Sequence, residues 1–125
     1  MAELQAKLQK LSEEYQALQT EFQTTVQSRQ KLEAQKQENE GVKEEFDKLK
    51  DGEQIYKLVG PVLLKQDKVE AESTVKGRLE FITKEIQRHE TQIKDAQGRL
   101  EKKKGEIIQL QASAQAAAQG GAKKA

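Results

Sequence analysis

The sequence predicts a mainly α-helical protein, an antiparallel two-helix coiled coil with a central β-hairpin at the joint. Apolar residues recur at alternating spacings of three and four in both halves of the chain, which is the pattern of coiled-coil helices. A short apolar segment between the halves, residues 55–66, contains the only proline. Only 34% of the residues are hydrophobic and 34% are charged, so the chain can fill narrow helix seams but not an ordinary globular core.

The N-terminal arm is predicted to be a helix over about residues 3–50. Its seam begins with Leu4, Leu8, Leu11, Tyr15, Leu18 and Phe22. The weaker middle of the seam consists of Thr25, Arg29, Leu32, Gln35 and Asn39, and the seam is restored by Val42, Phe46 and Leu49. Spacings of three on both sides of Leu32 indicate a local slip of the heptad. Gly52 is suited to the left-handed cap that ends many helices.

The joint, residues 54–66, is predicted to form a β-hairpin that turns at Gly60-Pro61. Its β-branched and aromatic residues favour strands, Gly60 can adopt a positive φ, and Pro61 has a fixed φ. The apolar side chains fall into two sets, one of Ile55, Val59 and Leu63 and the other of Tyr56, Leu58, Val62 and Leu64. A hairpin with two apolar faces and two open edges is unstable alone. We therefore expect it to join hairpins of other subunits in a shared sheet or barrel, the alternative being a loop folded back on the helices.

The C-terminal arm is predicted to be a helix over about residues 68–117, followed by a flexible tail over about 118–125. Asp67 and Glu70 resemble a capping box at its start. Its seam is the more regular of the two and consists of Val75, Leu79, Ile82, Ile86, His89, Ile93, Ala96, Leu100, Lys103, Ile107, Leu110, Ala114 and Ala117. With 125 residues, the chain has room for one domain.

The two seams match as an antiparallel pair within one chain. Such a pair requires the residue numbers of facing positions to sum to a constant. Phe46 with Val75 and Leu4 with Ala117 give 121, and Tyr15 with Ile107 gives 122, so the register holds to within one residue along the arms. The alternative is a parallel homodimer, in which the apolar joint would have to be bridged in some other way.

Composition excludes several classes of function. The net charge is +1, from 22 Lys and Arg against 21 Asp and Glu, which argues against a nucleic-acid or anionic-membrane binder. There is no apolar stretch long enough to span a bilayer, no signal-peptide pattern and no cysteine, so we expect a cytoplasmic protein. No phosphate-binding loop is visible, and His89 is the only histidine. We predict no enzyme, no cofactor and no metal site.

The amino-acid sequence of the joint, Tyr56–Asp67, and its position between two coiled-coil arms resemble those of the β-type prefoldin subunits. Within that family, the flanking segments look most like the sixth subunit of the eukaryotic complex. These segments are Arg29–Gln35, Glu38-Asn39, Val42–Glu45, Thr74-Val75, Arg78-Leu79 and Ile82-Thr83. The resemblance implies a hexamer of α-type and β-type prefoldin subunits whose hairpins form a β-barrel platform. It also implies an ATP-independent co-chaperone that captures unfolded client proteins, typically actin and tubulin, and delivers them to the cytosolic group II chaperonin.

In such an assembly the hairpin residues Ile55, Tyr56, Leu58, Val59, Gly60, Pro61, Val62, Leu63 and Leu64 would form the subunit interface. Both helix ends meet at the tip of the arms, and terminal turns fray easily. The candidate client-binding residues there are Leu4, Leu8, Leu11, Ile107, Ile108 and Leu110, for which the alternative is a purely structural coiled-coil core. Lys102, Lys103 and Lys104 are a candidate contact for an acidic chaperonin surface, with a solvated helix face as the alternative.

Two other functions compete with this prediction. The chain could be a structural or scaffolding coiled coil that oligomerises through the hairpin. An RNA-binding arm of the helical-hairpin type is disfavoured by the balanced charge.

Overall fold

The computed structural model describes residues 2–124, and their side chains as far as residue 120. Helix α1 comprises Ala2–Lys48, strand β1 Ile55–Val59, strand β2 Val62–Gln66 and helix α2 Lys68–Lys124. The two strands pair antiparallel. The predicted fold class, two long helices with a β-hairpin between them, is confirmed.

The ends of the elements follow from local backbone bonds. After α1, the Leu49 N–H donates to the Phe46 carbonyl (3.2 Å), and Gly52 adopts a φ of 91°, so the helix stops slightly before the predicted residue 50. At the start of α2, the Ala71 N–H donates to the Asp67 carbonyl (3.0 Å), which places Asp67 at the N-cap.

The predicted end of the second helix near residue 117 is corrected by the structure. Helix α2 continues to Lys124, through most of the segment expected to be a tail. Alanine has the highest helix propensity of all residues, and the run Ala116-Ala117-Ala118 carries the helix onward. Residue 125 of that segment lies outside the described residues.

The chain divides into two compact units. The first, here the terminal unit, contains Met1–Gln27 and Glu90–Ala125, and the second, here the central unit, is Ser28–His89. The central unit holds the hairpin and most of the deeply buried side chains, which are Ala71, Val75, Ile82 and Ile86. In the terminal unit the buried side chain is Ala96, and the rest of the seam is half-buried. Burial in both units therefore follows a stripe, as expected of a coiled coil.

The seam of α2 is confirmed almost position by position. Every predicted member is buried or half-buried except Ala117, which is exposed. In each unit, facing seam residues line a common groove: Phe46 and Val75 in the central unit, and Leu11 and Leu110 in the terminal unit. Both pairs have numbers that sum to 121, the value predicted for the antiparallel register.

The seam of α1 requires one correction. Gln35 is exposed, and Lys36 is half-buried in its place. With Lys36 in the seam, spacings of three and four residues alternate without a break as far as Asn39. The next spacing, from Asn39 to Val42, is again three, so two spacings of three follow each other at Asn39. The heptad slip lies there, and not at Leu32. At this slip Val42 is 38% exposed, which makes it the least covered apolar seam position of α1.

Three polar seam residues are satisfied within their own helix. The Thr25 hydroxyl donates to the Glu21 carbonyl (2.9 Å), and the Asn39 amide donates to the Gln35 carbonyl (2.7 Å). His89 Nδ1 lies 2.7 Å from the Glu85 carbonyl, which can only accept, so Nδ1 carries the proton. Each bond spans one helical turn, so these residues enter the seam without needing a polar partner across it.

The hairpin turns in two residues. Val59 pairs with Val62, and the loop between them is Gly60-Pro61. Gly60 has a φ of 58°, whereas proline is held near −65°, and a positive φ followed by a negative one is the pattern of a type II′ turn. This turn matches the twist of the strands, which explains why Gly precedes Pro at this point.

We predict opposite effects of alanine at two glycines that both lie in open space. Gly60→Ala should destabilise the fold by about 1–2 kcal/mol, because alanine resists positive φ. Gly41→Ala, in the exposed interior of α1, should stabilise it by up to about 1 kcal/mol, because alanine is the better helix former. Urea unfolding followed by circular dichroism measures both. Equal shifts in the same direction would contradict the turn assignment.

Candidate assembly hairpin and tip surfaces

The hairpin exposes a concentration of apolar side chains. Six of its residues are between 48% and 69% exposed: Tyr56, Leu58, Val59, Val62, Leu63 and Leu64. Elsewhere in the described chain, large apolar side chains are exposed only singly, as at Phe81 and Ile108. Isolated exposed apolar residues are ordinary, but a contiguous group marks an interaction surface.

The strand register corrects the predicted division of these side chains between two faces. Cross-strand partners share a face, and Leu58 pairs with Leu63 while Val59 pairs with Val62. The residues of one face are Tyr56, Leu58, Leu63 and Lys65. Those of the other face are Ile55, Lys57, Val59, Val62, Leu64 and Gln66. Leu63 therefore belongs with Leu58, and Val62 and Leu64 belong with Val59, because sequence alternation alone did not fix the register across the turn.

The hairpin is not a loop folded back on the helices. Only its first and last residues, Ile55 and Gln66, are half-buried, and they line a groove with Phe46, Val75 and other helix residues. Beyond that base, all strand residues are exposed. Both outer strand edges also lack a neighbour in this two-stranded sheet. The surface offers apolar side chains and backbone hydrogen-bonding groups together, as an assembling strand edge does.

The predicted tip residues fall into two groups in the terminal unit. Five of them are half-buried seam residues: Leu4, Leu8, Leu11, Ile107 and Leu110. Ile108 lies off the seam and is 55% exposed. Leu11 and Leu110 line a groove whose other members are polar or charged, including Lys7, Lys10, Glu14 and Glu106. Among its described residues, the terminal unit thus has one large exposed apolar side chain, Ile108, and a groove with a small apolar centre that Ile108 does not line.

The three predicted chaperonin-contact lysines are not equivalent. Lys102 and Lys104 are exposed, but Lys103 is half-buried and forms an ion pair with Glu14 of the other helix. Lys103 also lies 3.8 Å from Glu106, one turn along its own helix. Its charge is therefore engaged within the terminal unit, which leaves Lys102 and Lys104 as the free cations of this cluster.

The Glu14–Lys103 contact is electrostatic as well as geometric. The hydrogen bond that Lys103 donates lowers the pKa of the Glu14 carboxyl, and the same bond raises the pKa of Lys103. A second ion pair, between Arg88 and Glu85 (2.7 Å), is confined to one helix and lowers the pKa of Glu85. The Glu14–Lys103 pair, by contrast, joins α1 to α2.

Sequence reasoning missed several of these features. Lys103 was predicted as a seam residue and as a candidate chaperonin contact, and its partner Glu14 was not considered, although Glu14 adjoins the seam residue Tyr15. Val69 and Phe81, which are 71% and 63% exposed, were assigned to no surface. Both are apolar residues of α2 that lie outside the seam, and their departure from the otherwise polar outer face was the signal available.

Within the described residues, no helix is both long and apolar enough to cross a membrane.

These features define a class of protein, the antiparallel coiled coil that carries an exposed apolar β-hairpin between its two helices. The family profile described as "Prefoldin subunit" matches residues 2–114, and the chain belongs to this family. The resemblance seen in the sequence is thereby confirmed.

Named relatives specify the branch of the family that the chain resembles. It is 48% identical over 65 residues to prefoldin subunit 6 of Saccharomyces cerevisiae, covering 52% of this chain and 57% of the relative. It is 46% identical over 81 residues to prefoldin subunit 6 of Canis lupus familiaris, covering 62% and 63% of the two chains. The Homo sapiens subunit 6 is 46% identical over 64 residues, or 50% of each chain. The matched segment spans about half to three fifths of these relatives.

Solved structures agree with the fold. The prefoldin beta subunit from Thermococcus strain KS-1 aligns with a TM-score of 0.74 and 25% identity, covering 81% of this chain and 89% of that chain. The beta2 subunit from the same strain aligns with a TM-score of 0.63 and 25% identity, covering 73% and 97%. The chain therefore has the fold of β-type prefoldin subunits.

We predict that the ion pair between the helices makes stability depend on acid pH. Because the pKa of Glu14 is depressed in the fold, its contribution is present above the ordinary value of 4.5 and is lost as the pH falls through the lowered value. Glu14→Gln should lower the thermal midpoint at about pH 7, and the difference from the unmodified chain should shrink by about pH 3.

The matched control for this experiment is Glu101→Gln, which removes an exposed carboxylate of the same unit. Its effect on the midpoint should be smaller than that of Glu14→Gln at about pH 7. A deficit for Glu14→Gln that persists unchanged at about pH 3 would show that the residue acts through packing and not through its charge.

Proposed function

We propose that this chain is a β-type subunit of a hetero-hexameric prefoldin, in which its hairpin joins those of α-type and β-type partner subunits. The observation that carries the proposal is the group of six exposed apolar side chains on a two-stranded sheet with two open edges. Burying this surface requires neighbouring strands, because neither helix covers it. Membership of the prefoldin subunit family supplies the kind of neighbour.

We further propose that the assembled complex is an ATP-independent co-chaperone in the cytosol. It captures unfolded proteins, of which actin and tubulin are the expected class, and delivers them to the group II chaperonin. Similarity to prefoldin subunit 6 of several eukaryotes supports this role. The whole-protein activity is inferred from relatives that the chain matches over part of their length.

The tips are proposed as the client-binding surface. Ile108 is exposed and offers an apolar contact without any opening of the coiled coil. Gly105, three residues earlier, weakens the helix by about 1 kcal/mol relative to alanine, which favours local opening. Opening would add the half-buried Leu11 and Leu110 to the apolar surface. One such tip binds weakly, but several tips of one complex bind the same client with a gain from effective concentration.

The chaperonin contact is proposed at Lys102 and Lys104 of the predicted trio. Both side chains are exposed, whereas Lys103 is held by Glu14. An acidic chaperonin surface would meet these two cations without breaking the ion pair between the helices.

Replacing the cross-strand pair Leu58 and Leu63 with aspartate should abolish assembly. The change places two charges on one face of the hairpin, where they would have to be desolvated in the interface. Native mass spectrometry of the chain mixed with α-type and β-type prefoldin subunits measures the loss of the hexamer. The matched control is Phe81→Asp with Ile108→Asp, two similarly exposed apolar residues outside the hairpin.

Survival of the hexamer in the Leu58→Asp, Leu63→Asp variant would show that the hairpin is not the interface. If the unmodified chain forms only homodimers and ignores related subunits, the scaffolding alternative replaces the prefoldin proposal.

Replacing Ile108 with serine should reduce the suppression of client aggregation by the assembled complex, because the exposed apolar contact is lost. Deleting residues 1–11 and 107–125 should reduce it further. Light scattering of a denatured client diluted into buffer gives the readout, and Phe81→Ser, an equally conservative change on an exposed residue of the central unit, is the control. Undiminished suppression by both the Ile108→Ser and the deletion variants would remove the tips as the client site.

A further inference from the structure

A second groove, distant in sequence from the tip residues, lies in the central unit. It is lined by Lys43 of α1 and by six residues of α2: Lys76, Leu79, Glu80, Thr83, Lys84 and Gln87. We call this surface the lysine groove. It belongs neither to the hairpin nor to the tips, and the proposed function assigns it no role.

The lysine side chains of the lysine groove carry unpaired positive charges. Lys43, Lys76 and Lys84 form no ion pair within the part of the chain that the structure describes. Other cations of the same unit are engaged, as Lys48 is with Glu45 and Arg88 is with Glu85. Glu80 is the single carboxylate of the groove. Three free ammonium groups against one carboxylate leave an excess of positive charge on this surface.

The lysine groove also has apolar components. Leu79 is a half-buried seam residue, so part of its side chain is accessible from the groove. Val69 is 71% exposed and precedes Lys76 and Thr83 by seven and fourteen residues, which places all three on the same face of α2. A surface that combines an exposed valine, an accessible leucine and three free lysines fits a ligand that is both acidic and apolar.

We propose that the lysine groove is a docking surface for an acidic amphipathic helix of a partner protein. The carboxylates of that helix would meet Lys43, Lys76 and Lys84, and its apolar side chains would pack on Leu79 and Val69. From Val69 to Gln87, α2 rises by about 27 Å, the length of an eighteen-residue helix. Anchors spaced by three, four and seven residues are the usual way in which a helix binds a groove.

A protein ligand fits this surface better than a nucleic acid. Glu80 lies among the lysines and would repel a phosphate backbone. The groove contains no aromatic residue on which a base could stack. A helix can place a neutral or basic side chain opposite Glu80 and its carboxylates opposite the lysines.

The test uses the full chain assembled with its partner subunits and a fluorescein-labelled probe peptide of about eighteen residues. The probe carries leucines on one helical face and glutamates beside them, and a control peptide has glutamine at every glutamate position. Fluorescence anisotropy should show binding of the probe, with an affinity that falls as salt rises and is at least about tenfold weaker for the glutamine peptide.

Variants of the chain locate the binding. The triple change Lys43→Glu, Lys76→Glu and Lys84→Glu should weaken probe binding by at least about tenfold, and Val69→Ser by about threefold. The control triple of exposed lysines elsewhere, Lys31→Glu, Lys50→Glu and Lys94→Glu, makes the same change in net charge and should alter binding by no more than about twofold. Hexamer formation and aggregation suppression should survive in all variants, which separates this proposal from the proposed function.

Several results would overturn the proposal. These are failure of the unmodified complex to bind the probe, equal binding of the glutamine peptide, and equal losses in the two lysine triples. A single-stranded RNA that binds more tightly than the probe, and loses binding with the groove triple, would assign the surface to nucleic acid instead. The salt dependence and the glutamine peptide use the unmodified chain, so the test stands even if a variant folds poorly.

Discussion

The structure depends on how little apolar surface a two-helix seam can bury. Each helix has a single facing stripe, and in the described chain only five apolar side chains, four of them in the central unit, reach the burial of a protein core. Any apolar residue off that stripe must remain in water or meet another molecule. Both faces and both edges of the hairpin lack such cover. An apolar sequence at this place is therefore expected of a hairpin that is buried in an assembly. The proposed role of the chain as a subunit rests on this shortage of internal cover.

The narrow seam also explains where its polar residues form their hydrogen bonds. Each position of a two-helix seam has too few neighbours to form a polar network. Thr25, Asn39 and His89 therefore form hydrogen bonds to carbonyl groups of their own helix. Lys103 differs from them, because its ammonium group pairs with the carboxylate of Glu14 on the other helix. Polar seam residues therefore cost less than their position suggests.

The sequence predicted the architecture well because its signals were periodic. The spacing of Val75, Ile82 and Ile86 defined the buried stripe, and Gly60-Pro61 defined the turn. It failed where a single residue decided between close alternatives, as with Gln35 and Lys36, since lysine can lay its apolar stem on a seam while its charge stays in water. It also misplaced Val62, Leu63 and Leu64, because the face of a strand residue depends on the register across the turn. The engagement of Lys103 required knowing which carboxylate stands opposite, which is a property of the paired helices.

The bonding of the polar seam residues has a consequence for how the arms find their alignment. If one helix slid past the other by a heptad, the bonds of Thr25, Asn39 and His89 would be unchanged, because each is made within its own helix. Those residues therefore cannot distinguish the correct alignment from a shifted one. The Glu14–Lys103 pair can, because sliding separates its partners by two turns, about 10 Å. Together with the short turn at the joint, this pair therefore favours the correct alignment of the arms over a shifted one.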